Sequence, residues 1–265
     1  MISIIIVNFN SGNFLHKCLW SIKTSIREHY EVIVVDNNSS DDSLDLCKDL
    51  FSIPNFICLR QMENFGFSKS NNIGAAHSKG DILHFLNPDT VVDSSLNMDY
   101  EKVIAHPDDI YVNALKNPDG SIMHSKHLLP TVPNFVKRIV SGNDAGYWYT
   151  GATLIISKEN FMKIGGWNEA YFMYSEDLDL FYKAYKNKVI VKQLDSIILH
   201  IGGASSSKVW NNFQRAQRVE SSIKKFYIIN NIKWQYPFVV CLSLLRQLIF
   251  NPKQVMFTIK VLKSL

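Results

Sequence analysis

The sequence predicts an α/β fold: a mostly parallel central sheet with helices on both faces, followed by a basic helical C-terminal extension. Three observations predict it. Continuous apolar, β-branched runs at residues 2–7, 31–36 and 81–86 read as strands buried on both faces. Stretches with helical spacing separate them, and this alternation implies parallel pairing through crossovers. Beyond residue 205 the charge balance changes. Residues 206–265 carry ten Lys or Arg against Glu220 alone, a net +9, while residues 1–205 carry 18 basic and 23 acidic residues, a net −5. We therefore expect one domain over 1–205 and an extension over 206–265.

The elements follow in order. The opening ISIIIV is a first buried strand, not a signal peptide, because no basic segment precedes it and the apolar run is short. Leu15, Cys18, Leu19 and Ile22 fall at i, i+3, i+4, i+7 and predict a helix. EVIVVD is the second strand, and Ser39 with Asp42 in the following NNSSDDS has capping-box spacing. Residues 55–59 form a short third strand, 64–78 a polar turn running into a small-residue helix, and 81–86 a fourth strand ending at NPDT. Asn117-Pro118-Asp119-Gly120 predicts a hairpin between 110–115 and 121–127. YWYTGATLIIS, the turn GGWNE and a strand over 189–194 leading to His200 complete this part.

Residues 174–183, YSEDLDLFYK, place three carboxylates in four positions. Leu178, Phe181, Tyr182 and Tyr185 predict a helix over 176–187, with Ser175 as N-cap and acids suited to a first turn. At about 100° per residue, Asp177 and Asp179 flank the apolar stripe and Glu176 points away from it. On spacing alone this is either a helix start or a reactive site.

With 46% hydrophobic and 20% charged residues the chain is globular, not disordered. Cys18, Cys47, Cys58 and Cys241 have no metal-ligand spacing and each sits in an apolar segment, which predicts packed, reduced thiols in a cytosolic protein. The extension contains WQYPFVVCLSLLRQLIF, yet only eight residues separate Pro237 from Arg246, too few for a membrane span. An interfacial or packed helix fits, with an anionic membrane surface as the partner of the basic face. No nucleic-acid-binding motif accompanies the charge.

In open α/β sheets ligands bind beyond the carboxyl ends of the strands. Those ends carry Asn8 and Asn10, then Asp36 and Asn38, then Asn87 and Asp89. An acid ending strand two can grip a ribose or a base, and one on strand four can hold a divalent cation against a diphosphate. Neither G-x-G-x-x-G nor G-x-x-x-x-G-K-[ST] occurs, which argues against dinucleotide dehydrogenases and P-loop enzymes.

In this order, IIIVNFNSGNFLHKCLWSI, VIVVDNNSSDDS, NFGFSKSNNIGAA, FLNPDT, GATLIISKENFMKIGGWNEAYFMYSEDLDLFYK and LHIGGAS resemble the family 2 glycosyltransferases, most closely the rhamnosyltransferase-like branch. The resemblance covers about residues 2–205. It implies the GT-A fold, a nucleotide-sugar donor, a divalent cation (Mg2+ or Mn2+) and inversion at the anomeric carbon. It makes Asn8 and Asp36 nucleotide contacts, Asp89 a metal ligand of the D-x-D motif, and Asn64, Gly66 and Asn71, with Asn72 beside them, part of the nucleotide-sugar site. The strand-end Asn10, Asn38 and Asn87 join that set. Asp177 matches the catalytic base, and His200 a histidine near the diphosphate that can ligate metal. Trp148, Gly151 and Glu176 are expected at the acceptor or sugar pocket. The chain departs from the family in Asn87 for the first Asp of D-x-D, Tyr147 for a frequent Asp, and Trp167-Asn168 for Phe-Asp.

The implied donor is dTDP-rhamnose, with UDP-galactofuranose, UDP-hexoses and UDP-N-acetylglucosamine as alternatives. The acceptor is a saccharide, expected on a polyprenyl diphosphate at the cytoplasmic face of a bacterial membrane, in O-antigen or capsule synthesis. A non-catalytic nucleotide-sugar-binding scaffold is the alternative from another class.

Overall fold

A computed structural model describes residues 1–53, 55–140, 146–202 and 210–265. Ten strands are described: β1 (Ile2–Asn8), β2 (Tyr30–Asp36), β3 (Phe56–Arg60), β4 (Ile82–Leu86), β5 (Thr90–Val91), β6 (Ile110–Lys116), β7 (Lys126–Leu128), β8 (Tyr147–Tyr149), β9 (Thr153–Ser157) and β10 (Val191–His200). Eight of them form one sheet in the order β3-β2-β1-β4-β9-β6-β10-β5. β3, β2, β1 and β4 run parallel, while β9 lies antiparallel between β4 and β6. The mostly parallel sheet predicted from the buried strand runs is therefore present.

Helices cover both faces. α1 (Asn13–Ser25) and α3 (Leu96–Ala105) bury Leu15, Leu19, Ile22, Leu96 and Tyr100 on one side. α2 (Gly66–His77), α5 (Lys158–Lys163) and α6 (Glu176–Lys186) lie on the other, where Ala75, Phe161, Leu180, Phe181 and Ala184 meet Ile5, Phe85 and Leu154, and α4 (Val132–Val140) follows β7. The four residues whose spacing predicted α1 are all buried.

Three local expectations need correction. Ser39 and Asp42 do not form a capping box, because the Ser39 hydroxyl instead accepts the Asn8 amide and the Asn10 N–H, and a 3₁₀ helix at Asp45–Leu50 follows. The hairpin turn closes through Gly120 N–H to the Asn117 carbonyl, but the returning arm keeps only a single bridge, Lys116 to Ile122. Residues 126–128 pair with β8 instead, where His127 stacks on Trp148 and Lys126 lies over Tyr147. The last strand also runs six residues beyond the expected end, through a register shift against β6 that accommodates Asp195 and Ser196. Asp99 stabilises that irregularity by accepting the Ser196 N–H.

The C-terminal segment forms α7 (Asn212–Ile229), α8 (Tyr236–Phe250) and α9 (Pro252–Lys263). An Asn211–Gln214 capping box starts α7. Phe226 and Tyr227 on α7 share a core cluster with Leu178 and Tyr171. Hydrogen bonds reinforce the contact: Tyr227 to the Pro130 carbonyl, 2.6 Å, and Asn230 to the Asp179 carboxylate, 2.8 Å. The expected boundary at residue 205 lies outside the described residues. α8 has no buried residue, and Cys241 on it is exposed, unlike the packed thiol expected. Among the described residues no helix is long and apolar enough to cross a membrane.

Candidate active site

The parallel register sets Asn8 directly beside Asp36 at the carboxyl edge of the sheet. Asn8 is fully buried, with its amide nitrogen 2.7 Å from Asp36 Oδ1 and 2.9 Å from Ser43 Oγ, and its oxygen accepting from Ser11. It braces Asp36. Asp36 Oδ2 accepts the Ser39 N–H. Asn10, at φ 50°, accepts the Ser40 N–H and ties the two loops together, while Asn38, at φ 62°, is exposed. Asn37 was missed by the sequence reading. Its buried amide accepts from Ser70 at 2.6 Å and donates to the Gly66 carbonyl, linking this edge to α2.

The α2 residues divide. Asn64 accepts the Gly66 N–H, and Gly66 has φ 81°, where an added Cβ would lie 2.3 Å from the Phe172 carbonyl oxygen. Only glycine lets the start of α2 approach the loop that leads into α6. Asn72 grips the Trp167 backbone through both amide atoms, fixing the GGWNE turn. Asn71 is buried and donates back to the Phe67 carbonyl.

Asp89 and His200 meet where β10 pairs with β5, since His200 is in register with Thr90. His200 Nε2 lies 3.3 Å from Asp89 Oδ1, and both side chains are buried. His200 Nδ1 is buried without a hydrogen-bond partner. No group of three or more His, Cys, Asp or Glu among the described residues could hold a metal. Asp89 and His200 would offer one oxygen and one nitrogen donor, so a divalent ion there would take its other ligands from substrate phosphates and water. The Asn87 N–H donates to the Ala152 carbonyl, joining this strand end to the Gly151 turn.

That turn meets the carboxylates. Tyr174 and Ser175 both have left-handed backbones, φ 72° and 65°, immediately before α6. Ser175 therefore cannot adopt the extended conformation of an N-cap, and its side chain makes no cap bond. Strained non-glycine pairs of this kind persist only where the surroundings hold them. Here the Ser222 hydroxyl of α7 donates to the Tyr174 carbonyl.

Asp177 then receives two backbone N–H groups, Leu178 at 2.8 Å and Gly151 at 3.2 Å. Burial raises its pKa against the pull of those N–H groups. Glu176 is also raised, first by burial and then by the charge of Asp177. The helical-wheel expectation that Glu176 points away is corrected. α7–α9 cover that side of α6, and Glu176 lines the same cavity of 330 Å³ as Asp177, Trp148 and Tyr174. Asp179 serves the structure: it is fully buried, pairs with Lys183 at 3.0 Å and accepts from Asn230.

A mostly parallel α/β sheet flanked by helices on both faces is the architecture of GT-A glycosyltransferases. GalNAc-T7, crystallised with UDP, GalNAc and Mn2+, superposes with a TM-score of 0.62 at 17% identity, over 86% of this chain and 50% of that one. The family model Glycosyl transferase family 2 matches residues 3–165, and the chain belongs to that family. It is 28% identical over 208 residues to the low-salt glycan biosynthesis hexosyltransferase Agl10 of Haloferax volcanii, covering 72% of this chain and 64% of that protein. It is 24% identical over 205 residues to the rhamnosyltransferase WbbL of Escherichia coli K12, covering 68% of this chain and 75% of that one. The chain thus spans less than two thirds of the length of Agl10.

Proposed function

We infer that this protein is an inverting transferase that moves a sugar from a nucleoside diphosphate to a saccharide acceptor. The observation that carries the reading is Asp177, held by two N–H groups at the wall of a cavity, with its proton affinity raised by burial. An acceptor hydroxyl attacks C1 of the donor sugar and its proton passes to Asp177. The C1–oxygen bond to the diphosphate breaks, and the nucleoside diphosphate leaves. Asp36 and the loop ordered by Asn8 and Asn10 hold the nucleoside side. Asp89 and His200 would hold Mg2+ or Mn2+, which when bound neutralises charge on the diphosphate. Dependence on manganese is in keeping with the Mn2+ found with GalNAc-T7.

Rhamnose from dTDP-rhamnose is the donor we favour, supported by the likeness to WbbL; UDP-hexoses are the alternatives. We place the reaction in bacterial surface-polysaccharide synthesis, peripheral to the cytoplasmic membrane face. α8 supports the membrane attachment: it carries one charge, Arg246, and leaves Phe238, Leu245 and Ile249 exposed beside Lys253 and Lys260.

Two experiments test this. Metal-dependent hydrolysis of a panel of nucleotide sugars should single out one donor, and turnover of none with any metal or acceptor would reject the transferase reading. Sedimentation with vesicles containing anionic lipid should carry the protein down at low salt and release it at high salt. Equal recovery in the supernatant at both would reject the attachment.

A further inference from the structure

The cavity beside Asp177 has two chemically different walls. The wall from the sheet domain carries Trp148, Tyr174, Glu176 and Asp177. The wall from the extension carries Val219 and Ile223 from α7, Val239 and Val240 from α8 and Leu262 from α9, and most of its polar donors are engaged within the protein: the Tyr227, Tyr236 and Thr258 hydroxyls donate to the Pro130 carbonyl, Glu220 and Gln247. Its volume of 330 Å³ falls in the range of about 300–1,000 Å³ typical of small-molecule sites. A sugar ring would find few free donors on that wall, and burying its hydroxyls unpaired against the aliphatic side chains is unfavourable. Hydrocarbon has no such need.

The second observation is charge. Glu176, Asp177 and Glu220 line the cavity, and no Lys, Arg or His stands among its described lining residues. Glu220 is engaged by the Tyr236 hydroxyl at 2.7 Å. A phosphate in this space would face carboxylates without a compensating cation.

The third is continuity with the outer surface. Val239, Val240 and Ser243 occupy one side of α8. At about 100° per residue, Phe238, Leu245 and Ile249 fall on the opposite side, and these are 59%, 56% and 73% exposed. A helix apolar on both sides is unstable as a solvated surface element. One side faces the chamber and the other the medium from which a hydrophobic acceptor would arrive.

We propose that the chamber between α6 and α7–α9 binds the hydrocarbon portion of an amphiphilic acceptor, whose sugar hydroxyl reaches Asp177 and whose sugar joins the hydrocarbon through an uncharged linkage. This rests on the transferase reading above. It names a glycolipid-like acceptor, against which a prenyl diphosphate-linked sugar is the competing substrate.

The test uses the full chain, its identified donor, and neutral alkyl glycosides of one sugar, from methyl to octyl, below their micelle threshold. Transfer kcat/KM should rise about fourfold for each methylene fully buried, and at least about thirtyfold in all. Ile223→Trp and Val240→Trp, which fill the chamber, should each flatten that dependence. Their donor affinity and unfolding midpoint report whether they are folded. A flat response in wild type, or a chain-length gain that both tryptophan variants keep, overturns the chamber. Better transfer to the same sugar and chain joined through a diphosphate overturns the uncharged linkage. Absence of donor turnover in the separate hydrolysis panel is a failure of the transferase reading, whereas donor turnover with a flat response is a failure of this proposal alone.

Discussion

Asp177→Asn should abolish function while making the protein more stable. Burial carries the Asp177 carboxyl from 3.8 to about 6. Ionising it within the fold therefore costs about 3 kcal/mol at about 1.36 kcal/mol per pH unit. The amide removes that cost but can accept only one of the two N–H groups from Leu178 and Gly151, a loss of about 1 kcal/mol. The net gain is about 1–2 kcal/mol at pH 8, or a rise of roughly 2–8 °C in Tm. Because the folded pKa is the higher one, the fold binds the extra proton between pH 3.8 and about 6, and wild-type stability falls as pH rises through that window. The advantage of the variant should accordingly shrink at pH 5. Transfer should drop by at least about a hundredfold, the low end for a lost general base. Wild-type transfer should itself fall as the pH drops below about 6 and the base is protonated. Scanning fluorimetry at pH 5 and 8, with nucleoside diphosphate release as the activity readout, measures both. A variant less stable than wild type at pH 8, or one with normal transfer, would refute the reasoning.

Asp89→Asn should raise the metal concentration needed for half-maximal donor hydrolysis by more than the roughly 10–100-fold that losing an outer-shell partner costs; an unchanged requirement would remove Asp89 from the metal. Gly66→Ala, with its Cβ placed 2.3 Å from the Phe172 oxygen at φ 81°, should destabilise by roughly 2–4 kcal/mol in urea unfolding. An unmoved midpoint would mean that α2 does not press on that loop. Asn230→Ala should cost about 1.5–3 kcal/mol by withdrawing the donor to the buried Asp179 carboxylate. The same assay returning wild-type stability would separate α7 from α6.

The sheet was legible because its signal is local. Runs such as ISIIIV and EVIVVD need burial on both faces, and the parallel register follows from where they end. The strand ends likewise place Asp36 and Asp89 beyond the carboxyl ends of β2 and β4. Residues whose work is internal were harder to read. Asn8 and Asn71 look like ligand-facing amides in sequence, and the structure adds an internal contact to each, Asn8 to Asp36 and Asn71 to its own helix. Asn37 does comparable work beside them and was passed over, since sequence does not say which amide of an Asn pair turns inward. Glu176 was misplaced for another reason. The helical wheel assumes one buried face, and α6 has a second face buried by helices that follow it in the chain.

That second burial ties the extension to the chemistry. Two left-handed residues in succession are a poor way to enter a helix, and no side-chain cap at Ser175 relieves them. The arrangement holds because the Ser222 hydroxyl takes the Tyr174 carbonyl, Asn230 anchors Asp179, and Tyr227 reaches the Pro130 carbonyl. All three donors lie on α7 or at its end. The same helix supplies Val219 and Ile223 to the cavity that Asp177 lines, and burial raises the proton affinity of that carboxylate. Without α7–α9 the turn would lose its brace, and Glu176 and Asp177 would face water. Their pKa values would then return toward those of ordinary carboxylates, leaving Asp177 a weaker base for a sugar hydroxyl. The basic, apolar segment that reads in sequence as an appendage would thus, on the proposed mechanism, help set the proton affinity of Asp177.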